Sequence, residues 1–106
     1  MSAEARIEQI KSFLKKTPKD PFLWYALATE YLGKSEDAKA KDIFLTLIRD
    51  YPDYHATYYH LAKLYEREDN EEEAIKTYEE GMKVAKHKNE KHAYNELRSA
   101  LDELLF

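Results

Sequence analysis

Trp24-Tyr-Ala-Leu27-Ala28-Thr-Glu-Tyr31 is matched further on by Tyr58-Tyr-His-Leu61-Ala62-Lys-Leu-Tyr65. Each signature residue returns 34 positions later: 24 at 58, 27 at 61, 28 at 62 and 31 at 65. The echo extends outward at the same offset. Ala40 and Phe44 return as Ala74 and Tyr78, Tyr25 as Tyr59, and Pro18 as Pro52. Within each copy the large residues fall every three or four positions, which puts them on one helical face. A fixed period of this length implies stacked helical hairpins, because one hairpin cannot bury its apolar stripe alone.

The same rhythm runs through the rest of the chain. Ile7, Ile10, Phe13 and Leu14 share a face, as do Ile43, Phe44, Leu47 and Ile48, and Tyr94, Leu97, Leu101, Leu104 and Leu105. The spacing predicts six helices, at about 3–16, 21–32, 36–50, 54–67, 71–86 and 90–105. Punctuation supports these limits. Asp20-Pro21 reads as an N-cap followed by a proline at the first helical position. Gly33 reads as a left-handed stop, with Ser35 capping the next helix. Pro52-Asp53 ends one helix and begins another. Asp69 with Glu72 reads as a capping box, and Asn89 as the start of the last helix. Short loops force successive helices to run antiparallel.

Composition narrows the function. The 106 residues carry 17 Lys and Arg against 21 Asp and Glu, a net charge of −4. That balance excludes broad nucleic-acid binding, which needs many phosphate-neutralising cations. The longest apolar run, residues 22–28, is too short to span a membrane, and no signal peptide is visible, so a cytoplasmic location is expected. The absence of cysteine removes disulfides and thiol chemistry. With 2 Gly and 3 Pro there is little turn material for an all-β fold.

The pattern Trp24-x-x-Leu27-Ala28-x-x-Tyr31, Ala40-x-x-x-Phe44, Pro52 resembles the tetratricopeptide repeat family. The second copy lacks the closing proline and has Lys86 in its place; Ala28 and Ala62 stand where the family favours glycine. The expected fold is therefore all-α, an α-solenoid forming a single domain over 1–106. It comprises a half-repeat at 3–16, repeats at 21–54 and 55–88, and a capping helix at 89–106. Arg6 replaces the small residue expected in the half-repeat. Tyr94-x-x-Leu97-x-x-x-Leu101 echoes the second copy with two residues inserted. Lys91, Glu96, Arg98, Asp102 and Glu103 would give the closing helix a polar outer face.

The resemblance implies that the first helices of the hairpins line a concave groove that binds an extended peptide or a partner helix. The groove-facing residues would be Phe22, Tyr25, Thr29 and Leu32 from one helix, and Tyr59, Lys63 and Glu66 from the next. Tyr25 and Tyr59 would stand one repeat apart, offering broad apolar contact with a hydroxyl. Alternatively these rings pack against the closing helix. Some relatives grip a chaperone's C-terminal carboxylate with lysines and asparagines. Tyr25 and Thr29 stand where that clamp would begin, and Lys63 is a single cation, which speaks against such a ligand.

Other chemistry finds little footing. His55/His60 and His87/His92 are five apart, a spacing that turns side chains away from each other on a helix, so no metal site is expected. Neither a glycine-rich phosphate cradle nor a nucleophilic triad context is present, and no enzyme or cofactor is expected. The apolar Leu104-Leu105-Phe106 either tucks onto the closing helix or marks a self-association patch. The expected function is non-catalytic protein binding; the alternative is a structural module that self-associates, as a homodimer, through its termini and groove.

Overall fold

The computed structural model describes residues 2–106. Among the described residues there are six helices and no strand: α1 (Ala3–Lys16), α2 (Pro21–Gly33), α3 (Asp37–Asp50), α4 (Ala56–Arg67), α5 (Glu71–His87) and α6 (Lys91–Leu105). The all-α class and the six elements match the sequence reading. The chain divides into a compact unit ending at Tyr51 and a second from Pro52 to Phe106. In the first, α2 packs on α1 and α3; in the second, α5 packs on α4 and α6.

Each unit is organised by its small residues. Ala28 and Ala40 on α2 and α3 are fully buried, as are Ala62 and Ala74 on α4 and α5. A methyl side chain there lets two helix backbones come close, and the large residues then interlock around the crossing. Phe44 and Tyr78, equivalent by the 34-residue offset, are both fully buried. A still closer approach occurs at Gly81 of α5, which sequence reasoning passed over. A Cβ there would lie 2.6 Å from Tyr58 Cβ and 3.1 Å from Leu97 Cδ1. The first repeat has Leu47 at the equivalent place, so the two hairpins close their helix pairs with different residues.

Trp24, placed by its spacing on the apolar face of α2, is only half-buried. Its indole Nε1–H donates to the Pro18 carbonyl at 2.7 Å, keeping the polar edge of the ring at the surface. Tyr58 repeats this bond with its hydroxyl, 2.7 Å from the Pro52 carbonyl, while the ring itself is buried. The neighbouring loop carbonyls are also satisfied in both units, Lys19 by the Tyr51 hydroxyl at 2.9 Å and Asp53 by the Lys88 ammonium at 2.8 Å.

Helix ends depart from the predictions in a consistent way. Asp20 does cap α2, its carboxylate accepting the Phe22 N–H at 3.0 Å, and Ser2 caps α1 in the same manner. Gly33, however, lies inside α2, and the left-handed residue is Ser35, at φ 61°. Asp69 and Asn89, both at φ 58°, hold the same position after α4 and α5 rather than capping α5 and α6. In each case the next residue's N–H returns to a carbonyl five positions back: Glu36 to Tyr31, Asn70 to Tyr65, Glu90 to Ala85. This closure satisfies carbonyls the helix end would orphan, and Asp and Asn tolerate it because their short polar side chains bond locally. The caps therefore shift by one residue. Asn70 accepts the Glu73 N–H at 3.3 Å, whereas Glu36 and Glu90 make no side-chain cap. Asp53 caps nothing either; α4 begins after His55, itself in helical conformation.

Candidate functional site

The residues expected to bind occupy two units, and each is described within its own. In the first, Phe22 opens α2 with 58% of its surface exposed. Tyr25, three residues on, is half-buried, its ring centroid 6.3 Å from that of Phe44. Thr29 spends its hydroxyl proton on the Ala26 carbonyl at 2.8 Å. Leu32 is half-buried near the end of α2.

The second unit builds the equivalent wall with more charge. Tyr59 packs edge-on against Tyr78, with centroids 6.5 Å apart, whereas Tyr25 meets Phe44 at a tilt. The Lys63 ammonium sits 5.6 Å from the Tyr59 ring centroid, within reach of the attraction between a cation and an aromatic face. It also lies 3.6 Å from the Glu66 carboxylate. Glu66 in turn accepts a hydrogen bond from the buried Tyr78 hydroxyl. Burial, and then that carboxylate, push the Tyr78 hydroxyl far above the ordinary tyrosine range, so it stays a donor. Two differences between the repeats are thus coupled. Phe44 is replaced by Tyr78, and Leu32 by Glu66, which provides the acceptor the new hydroxyl requires.

Tyr59 and Lys63 line a cleft of about 320 Å³ with six residues of α6: His92, Asn95, Glu96, Ser99, Ala100 and Glu103. Glu96 and Glu103, read from sequence as outer surface, belong to this cleft instead. The available signal was the stripe 92, 95, 96, 99, 103, which repeats at helical spacing and carries polar groups. His92 Nε2 is 3.6 Å from Glu96. Burial holds His60 below the ordinary histidine range, against a smaller upward pull from Glu96. Among the described residues no three metal-ligating side chains converge.

A larger cleft, about 580 Å³, lies in the first unit and was not anticipated. Trp24, Ile43 and Leu47 wall it, with Asp42, Asp50 and Lys19 at its rim. It arises because Trp24 is drawn toward the Pro18 loop, and it contains none of the predicted binding residues. At the far end, Leu104 is half-buried while Phe106 is 98% exposed, so the last ring does not tuck onto α6. No helix among the described residues is long and apolar enough to cross a membrane.

Comparison with known proteins places this architecture. Two family models described as tetratricopeptide repeat match residues 22–54 and 55–88. No curated protein sequence matches the chain. Among solved structures, the solution structure of a tetratricopeptide repeat domain protein from Salinibacter ruber is 42% identical, covering 82% of this chain and 88% of that one, with a TM-score of 0.78. The crystal structure of the Salinibacter ruber domain protein gives 42% identity, 81% and 96% coverage and a TM-score of 0.79. MamA is similar in fold, at 19% identity over 97% of this chain and 67% of its own, with a TM-score of 0.68.

Proposed function

Because the chain belongs to the tetratricopeptide repeat family, whose members are in general non-catalytic protein–protein interaction modules, we propose that it binds an extended peptide or a partner helix. In this reading residues 1–106 act as one module, and the first helix of each hairpin presents the binding wall: Phe22, Tyr25, Thr29 and Leu32 from α2, Tyr59, Lys63 and Glu66 from α4.

One observation carries most of the weight. The Tyr59–Lys63 cleft combines an aromatic ring, an ammonium, an amide, a hydroxyl and two carboxylates within a single concavity. A few polar groups set around an aromatic wall suit recognition of a backbone with one or two side chains. In contrast, the larger cleft at Trp24 owes its shape to loop-closing hydrogen bonds.

The test is capture of a partner by the wild-type protein and by Tyr25→Ala/Tyr59→Ala, with helicity followed in parallel. Loss of capture by a variant of unchanged helicity supports the reading. Undiminished capture overturns it.

A further inference from the structure

The repeat register extends to both end helices, and at each it meets an arginine. Arg6 stands 34 positions before the fully buried Ala40. Arg98 stands 36 positions after the fully buried Ala62, in the register fixed by Tyr94 with Tyr58 and by Leu97 with Leu61. Leu97 is buried like Leu61, as that register requires. At the crossings inside both hairpins the chain has alanine. At these two corresponding places it has the bulkiest cation available.

By the same register, α1 corresponds to the second helix of a hairpin and α6 to the first helix of another. Brought together from two copies, α6 of one and α1 of the next have the parts of one complete hairpin. Each helix also offers apolar surface. Phe13 on α1 is 47% exposed, and on α6 Tyr94 and Leu104 are half-buried while Leu105 is exposed. Such a head-to-tail contact is heterologous, so each pairing leaves a further free end that another copy can meet.

We infer that Arg6 and Arg98 prevent this pairing of one copy with another. At the crossing, where each internal hairpin buries two alanines, the two-copy hairpin would bring Arg98 of one molecule against Arg6 of the next. Two like charges would lose solvent, and two long side chains would hold the backbones apart. Arg6 is also held at its place, its Nε 2.9 Å from the Glu30 carboxylate. Arg98 is exposed on α6. The inference rests on the repeat register and not on the binding wall, so either can fail without the other.

Sedimentation velocity from ~10 µM to ~1 mM, a range that brackets weak association, tests it. Wild type stays monomeric throughout. Arg6→Ala/Arg98→Ala gains mass with concentration, by at least about twofold at the top of the range, as a head-to-tail interface requires. Arg98→Glu, which sets a carboxylate against Arg6 of the next copy, also associates, and high salt reverses it. Should the double variant lose helicity, Arg98→Ala and Arg98→Glu at the exposed α6 position decide the matter. Head-to-tail oligomers of the wild type, or strict monomers of every helical variant, overturn the inference.

Discussion

Alanine in place of glycine has opposite expected effects at the two glycines of this chain. Both lie in helices, where alanine is favoured by about 1 kcal/mol through lower backbone entropy cost and better helix propensity. At Gly33 an added Cβ meets nothing within 4 Å. Gly33→Ala therefore gains stability, though only part of that figure because Gly33 is the last residue of α2. At Gly81 the same Cβ would lie 2.6 Å from Tyr58 Cβ, about 1 Å inside ordinary carbon–carbon contact. Tyr58 Cβ is fixed to the α4 backbone and no rotamer change moves it away. Helices α4 and α5 must separate, and the buried Tyr58 and Leu97 lose packing with them. Overpacking of this kind costs about 1–3 kcal/mol, and its upper part applies where the obstacle is rigid. Set against the propensity gain, Gly81→Ala should lose about 1–2 kcal/mol net. Thermal unfolding followed by helical circular dichroism reads both variants, at about 4–8 °C per kcal/mol for a chain near this size. A rise in Tm for Gly81→Ala matching that for Gly33→Ala would refute the close approach of α4 and α5.

The packing and the charges set three further outcomes. Phe44→Ala should cost about 3–5 kcal/mol in urea unfolding, and Trp24→Ala distinctly less because its ring is half in solvent; equal losses would contradict the burial difference. Glu66→Leu should cost about 1–3 kcal/mol by leaving the Tyr78 hydroxyl buried without its acceptor, while Glu66→Leu/Tyr78→Phe, the pair found in the first repeat, should recover most of it; additive losses in the double-mutant cycle would show the two sites uncoupled. His60 has its pKa lowered by folding, so the unfolded chain takes up the proton first and stability falls as pH drops below about 6.5. Stability of His60→Gln measured across that range should fall less steeply, and an unchanged slope would remove His60 as the cause.

Much of the fold was legible in the sequence because four alanines, Ala28, Ala40, Ala62 and Ala74, mark the helix crossings, and a 34-residue offset is insensitive to local detail. Helix ends were harder. Asp69 and Asn89 suit an N-cap and a left-handed residue almost equally, and the carbonyls left over at the preceding helix end decided between them. The half-exposure of Trp24 was not legible, because spacing reports its face but not its indole N–H, which needs the Pro18 carbonyl near the surface. Gly81 gave no periodic signal, since an absent side chain leaves no mark in an apolar pattern. At the candidate site, Tyr59 and Lys63 were legible from their place on α4. The α6 half of the cleft was not, because Glu96 and Glu103 look like any solvated helix face until α4 is set opposite them.

The binding claim is tested most directly by the amide chemical shifts of the labelled protein, titrated with a peptide selected against it from a random library. Shifts centred on Tyr59, Lys63, Asn95, Ser99 and Glu103 are the predicted result. Shifts confined to the cleft around Trp24, Ile43 and Tyr51, with α4 and α6 silent, would contradict it.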